Sequence, residues 1–347
     1  MSCEPLVSGV TFNFGKSIFI NSNYSYTINK EDWIQQFDSL QNIGCDLLFV
    51  IEGINQCMAR TAVVDDDLLE FVFSECDKRN MEMIISTGHS SEWCNDYNVA
   101  RETAFVSSSI EEIFRRYGSH PSFKGWYLPY ELFIRRGKDI NIISELFRSL
   151  VQLCKKKSPD LPVSISPFFM PDAPGNGKDF RNVEPSECVE FWSNLLSYSK
   201  IDILALQDNG GQHLSCFRNN DTKPFIDAFA TACRNTKTRF WGNVEMGEFP
   251  VSSIADFKTR YGENGDVNDP HFSDDWRAVP IDQMARKLKL MSQFSERNIS
   301  WGYNEFYRST LDEKKKAAHK AAYDAYYDYY QQITQKNKKR KEEISHK

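Results

Sequence analysis

The sequence predicts a single-domain (β/α)8 barrel, an α/β fold of the TIM type. Short apolar, β-rich runs alternate with helix-period segments eight times along the 347 residues. Strict alternation implies a parallel sheet, and eight such units close naturally into a barrel. An open doubly wound sheet would normally carry a glycine-rich phosphate turn after an early strand. The FNFGKS that follows the first run is not such a turn.

The first strand is GVTFNF (residues 9–14), with a helix over 30–43. DLLFVI (46–51) is the second, and the helix after it carries Leu68, Leu69, Phe71, Val72 and Phe73. MEMIIST (81–87) is the third, running into Gly88 and His89, and its helix covers 99–117. The fourth, GWYLPYEL (125–132), is an apolar run interrupted by Pro129 and closed by a carboxylate, Glu131; a helix over 141–157 follows. PVSISPFF (162–169) precedes a helix over 185–199, and IDILALQ (201–207) precedes one near 222–234. RFWGNVE (239–245) leads into a long loop and a helix around 281–296, and NISWGYN (298–304) is the eighth strand. A last helix begins near residue 311. Its Tyr323, Tyr326, Tyr327 and Tyr330 share the spacing of one packed face. The expected organisation is a barrel over 1–310, its last helix over 311–335, and a charged, disordered tail over 336–347.

Forty-two basic against 48 acidic residues give a net charge of −6. That excludes a general nucleic-acid binder, which needs a basic field. No apolar run approaches the roughly 20 residues of a bilayer span. The opening MSCEPLVSGVTFNF lacks the basic and apolar regions of a signal peptide. Nine cysteines without a CxxC pair point to buried or free thiols in a reducing compartment, so a cytoplasmic location is expected. Six histidines show no HxH or HExxH spacing, and there is no GxSxG elbow or P-loop. No metal or other cofactor is called for.

In such barrels the chemistry sits at the carboxyl ends of the strands. The first three strands deliver Asn13, Glu52 and His89 there, with Trp93 just beyond. The fourth delivers Trp126, Tyr127 and Glu131, the fifth Phe168, and the sixth Gln207, Asp208 and Asn209. The seventh gives Asn243, Glu245 and Glu248, and the loop after it Trp276 and His271; the eighth gives Tyr303 and Glu305. Amides and carboxylates beside aromatic rings suit a sugar, with hydroxyls at its edge and apolar C–H faces.

Glu131 and Glu245 are the sharpest pair, expected to reach toward one another across the mouth. Alternation groups Tyr127 with Glu131, and Trp241 and Asn243 with Glu245. Glycoside hydrolysis needs two carboxylates, one to protonate the leaving oxygen and one to attack or to activate water. A separation of roughly 5–5.5 Å gives retention and roughly 6.5–9.5 Å inversion. The other acidic groups, Glu52, Asp208, Glu248 and Glu305, are expected as hydroxyl ligands or ion-pair partners. Two alternatives stay open: a catalytically silent carbohydrate-binding barrel, and a barrel enzyme that holds a divalent metal on these carboxylates.

GWYLPYEL, ALQDNGG (205–211) and NVEMGEF (243–249) resemble domain-of-unknown-function family 4434, TIM-barrel proteins grouped with the glycosidase barrels. The chain is also similar to the clan of retaining glycosidases that carry an acid/base on strand four and a nucleophile on strand seven. That resemblance implies an oligosaccharide or glycoconjugate substrate, Glu131 as acid/base and Glu245 as nucleophile. The clan usually has Asn directly before its acid/base; here the position is Tyr130.

Overall fold

The computed structural model describes residues 4–12, 30–51, 68–132, 140–169, 184–208, 219–251, 256, 259–260, 275–308 and 315–345. Asn13, Glu52, Asn209 and His271 lie outside the described residues. Eight parallel strands close into a barrel: β1 (Gly9–Phe12), β2 (Leu47–Val50), β3 (Glu82–Ser86), β4 (Phe123–Tyr127), β5 (Val163–Ile165), β6 (Ile203–Gln207), β7 (Arg239–Asn243) and β10 (Arg297–Ser300). β10 returns to pair with β1, which closes the ring. Two short antiparallel strands, β8 (Gly247–Glu248) and β9 (Arg277–Ala278), form a separate ribbon within the long loop after β7.

The helices between strands are α1 (Lys30–Asn42), α2 (Leu68–Arg79), α3 (Trp93–Asp96), α4 (Val99–Tyr117), α5 (Ile140–Lys157), α6 (Pro185–Ser199), α7 (Asn219–Thr236), α8 (Ile281–Met291) and α9 (Tyr303–Phe306). α4 buries Val106, Ile110, Ile113 and Tyr117, an apolar stripe at helical spacing. The Asn98 side chain accepts from Arg101 N at 2.9 Å and caps its start, a contact worth about 1 kcal/mol. β5 is shorter than its apolar run because Pro167 has no N–H to give a ladder.

Strand alternation divides the apolar residues between two cores. Leu47, Phe49, Ile84, Tyr127, Ile203, Ala205, Trp241 and Ile299 fill the barrel interior. Their sequence neighbours, such as Val10, Leu48, Ile85, Trp126, Ile165, Leu204 and Phe240, pack outward against the helices. At the amino-terminal end Arg239 and Arg297 lie over the Trp241 ring at 5.2 and 5.3 Å. Arg297 also pairs with Asp46 and Glu82, which closes that end of the barrel.

The last helix, α10 (Lys316–Ser345), runs through the charged segment expected to be disordered. It is pinned there to the amino-terminal segment: Glu4 N donates to Asn337 Oδ1 at 2.8 Å, Asn337 Nδ2 donates to Glu4 O at 2.9 Å, and Lys336 pairs with Glu4. Of the tyrosine face, Tyr326 is fully buried, Tyr323 donates to Ser39 O and Tyr330 lies against Gly44, while Tyr327 is exposed. Cys45, Cys76, Cys154, Cys188 and Cys233 are free and buried. Burial raises the thiols of Cys188 and Cys233 to about 12. Among the described residues no helix is long and apolar enough to cross a membrane.

His120 ties α2 to the entry of β4. Its Nδ1 meets Asp77 Oδ2 at 2.7 Å, its Nε2 meets Glu70 Oε2 at 3.1 Å, and the ring stacks on Phe73. Burial opposes the charged ring, but the bonds and charges of Asp77 and Glu70 prevail and its pKa is raised. A histidine raised on folding contributes stability in full below the ordinary value of about 6.5 and loses it as pH climbs through the folded value. Wild type should therefore out-melt His120→Gln most at acid pH, with the gap narrowing as pH rises above the ordinary histidine value. A gap that does not change with pH would remove the charged latch.

Candidate active site

The inner face of the barrel brings several of the expected residues together at the carboxyl ends of β4, β6 and β7. Tyr127 faces inward against Phe49, with ring centroids 4.7 Å apart. Glu131, four residues on, is exposed at the end of β4 and hydrogen-bonds Gln207. Desolvation by the surrounding protein raises its carboxyl above the ordinary range, and the bond to Gln207 pulls the other way. Burial first, and then the charge of Glu131, raise the Tyr127 phenol, which stays neutral beneath it.

Gln207 and Asn243 face each other in the β6–β7 register. Ser166 fixes both. Gln207 Nε2 donates to its carbonyl at 2.8 Å, and Asn243 Nδ2 donates to its hydroxyl at 3.1 Å. The hydroxyl in turn donates to Ala205 O, so the Asn243 amide can only be oriented with Oδ1 away from Ser166.

β7 continues beyond Asn243 in extended form, because Val244 N and Met246 N donate to the carbonyls of Ile299 and Trp301. Val244 and Met246 belong to the outer core, so alternation sets Glu245 on the inner face with Trp241 and Asn243. β5 and β6 lie between β4 and β7, so the two glutamates come from strands three steps apart around the ring. Asp208 and Lys287 bracket the Glu245 backbone. Its N–H donates to Asp208 Oδ1 at 3.1 Å, its carbonyl accepts from Lys287 Nζ at 2.6 Å, and Lys287 pairs with Asp208 Oδ2 at 3.2 Å.

Other expected residues stand elsewhere. Trp126 is fully buried on the outer side of β4, where its Nε1 donates to Ser158 Oγ at 2.7 Å. Trp126→Phe should cost about 1 kcal/mol in a denaturant melt through that bond and leave ligand affinity unchanged. Tyr303 is likewise buried outside the barrel and donates to Gln36 Oε1. Trp276 is sandwiched between Phe249 and Trp301, with centroids at 5.6 and 5.4 Å, and has no open face for a sugar. Glu248 forms a two-pronged ion pair with Arg277 on the β8–β9 ribbon. Glu305 is buried in α9. Phe168 is half-buried just past β5, and His89 and Trp93 are half-buried at the rim, with their rings 5.6 Å apart.

Sequence reading missed three contributors. Trp301 follows inward-facing Ile299 by two residues, is half-exposed beyond β10, and rests on Trp276. Lys287 and Glu102 carry no local signal, because each acts on a strand end far away in sequence.

Residues 16–312 match the family described as domain of unknown function DUF4434. The chain belongs to that family. No curated protein matches this DUF4434 chain. Among solved structures, it is similar to a candidate alpha-L-fucosidase from Bacteroides thetaiotaomicron, with 18% identity and a TM-score of 0.68 over 94% of this chain and 96% of that one. An endo-1,4-beta-mannanase from Rhizomucor miehei matches at 10% identity and a TM-score of 0.51, covering 93% and 95% of the two chains. A beta-galactosidase from the psychrophilic Marinomonas ef1 matches at 9% identity and 0.53, covering 95% of this chain and 60% of that one. Likeness at these identities is likeness of fold. Among the described residues no group of three His, Cys, Asp or Glu side chains converges to hold a metal ion.

Proposed function

We propose that this DUF4434 barrel is a retaining glycoside hydrolase acting on an oligosaccharide or glycoconjugate. What supports the reading is Glu131, an exposed carboxyl just past β4 that bonds to Gln207 and has a raised pKa, with Glu245 just past β7 three strands around the ring. A carboxyl whose pKa is raised above the ordinary range is better suited to give its proton to a leaving oxygen. Glu245 is then the nucleophile that forms the glycosyl-enzyme, and Glu131 returns as the base that activates water. Gln207 orients the acid, Asn243 and His89 meet sugar hydroxyls, and Trp301 and Trp93 offer apolar faces to the ring. The similar solved barrels, named as a fucosidase, a mannanase and a galactosidase, favour this class of chemistry.

The test is hydrolysis of a panel of aryl glycosides by wild type, Glu131→Ala and Glu245→Ala, with and without azide. Azide should rescue both variants, giving a product of retained configuration from the first and inverted configuration from the second. Binding of natural oligosaccharides with no turnover by wild type would instead mark a silent carbohydrate-binding barrel.

A further inference from the structure

Beside the mouth, a carboxylate that the proposed chemistry does not use gathers the loops after β3 and β4. Glu102, in the first turn of α4, is fully buried. Its Oε2 accepts from Ser90 N at 3.0 Å and from Tyr130 OH at 3.0 Å. Its Oε1 accepts from Ser90 Oγ and from Arg101 Nε, the latter at 3.1 Å. Arg101 is held in turn by Asp96 and the Glu92 carbonyl. Burial opposes the charge, but these donors outweigh it and hold Glu102 below the usual carboxylate range. A buried charge with this many donors costs desolvation and fixes geometry in return.

What it fixes is His89. The positive-φ turn at Gly88 brings the chain to His89, whose Nδ1 lies 2.8 Å from the carbonyl of Ser90, the residue Glu102 grips. A carbonyl can only accept, so Nδ1 carries the proton. The Tyr130 ring, held by the same carboxylate, packs 5.9 Å from the imidazole, and Trp93 flanks it. Among the described residues His89 Nε2 has no hydrogen-bond partner. Tyr130, directly before Glu131, is therefore turned into the wall, and the neighbouring polar group at the rim is His89.

We propose that Glu102 is a positioning residue that, through Ser90 and Tyr130, locks His89 as its Nδ1–H tautomer, so that Nε2 accepts a hydrogen bond from a sugar hydroxyl entering the mouth. The ligand class rests on the glycosidase reading; the tautomer relay does not.

The experiment uses the full chain with ring-15N histidine and long-range 1H–15N correlation spectra, the His89 signals being assigned by their loss in His89→Gln. In wild type near pH 8 the ring should show a protonated Nδ1 and a bare Nε2. Ser90→Ala and Glu102→Gln, checked for folding by their melts, should shift His89 toward a mixture of tautomers; Tyr130→Phe serves as a milder variant if Glu102→Gln does not fold. An Nε2–H ring in wild type, or an unchanged tautomer in the folded variants, overturns the relay. Adding a panel of methyl glycosides should move the Nε2 resonance of wild type more than Nδ1. A panel that leaves Nε2 unmoved overturns the ligand role, whatever the relay shows.

Discussion

Replacing Glu131 by glutamine is expected to lower turnover of an unactivated glycoside by about 10²–10⁴-fold, the usual contribution of general acid–base catalysis. An aryl glycoside with a good leaving group needs less protonation, so its first step should suffer far less. Equal losses on both substrates would sink the acid assignment. The raised carboxyl of Glu131 also predicts the alkaline side of the pH profile. Activity falls as pH rises through its pKa, above the ordinary carboxylate range, and the glutamine variant lacks that limb. The linkage sign agrees: a carboxyl raised on folding binds its proton more tightly in the native state, so its contribution is lost as pH rises. Near pH 7 Glu131→Gln should therefore melt no lower than wild type, the trade of stability for function found at active sites.

Asp208→Ala is expected to be the most damaging single change near the mouth. Asp208 and Lys287 are 9% and 13% exposed in their side chains, so the substitution leaves a nearly buried ammonium without its carboxylate. Breaking a buried pair from one side costs about 3–5 kcal/mol. It also releases the amide of Glu245 from its acceptor. A denaturant melt should show the loss, and Asp208→Ala/Lys287→Met should recover much of it, since no buried charge is then unpaired. A double variant as unstable as the single one would mean that the bond to the Glu245 amide, and not the ion pair, carries the cost.

Much of the barrel was legible because period is a local property. The alternation of runs such as DLLFVI and IDILALQ with helical stripes such as Val106, Ile110, Ile113 and Tyr117 required no knowledge of distant residues. The helix over residues 99–117 and the one over 185–199 match their expected limits, and Asn98 and Pro185 are local signals for a start. The helix past Lys336 has no local signal for its extent, because the contacts that pin it come from Glu4, at the other end of the chain.

The candidate site was legible only in part. Sequence alone placed Tyr127 with Glu131, and Asn243 with Glu245, because side chains in a strand alternate. The same rule, applied more strictly, assigns Trp126 to the outer core. What the sequence by itself determined is therefore the barrel, the inward parity of its strands and the rim where carboxyl groups collect. Only the tertiary structure decided which rim groups are spoken for: Asp208 by Lys287, Glu248 by Arg277, Tyr130 and Ser90 by Glu102. The reason is that hydrogen bonds and ion pairs close between residues 12 to 79 positions apart, and no local pattern encodes which partner a folded chain brings into contact.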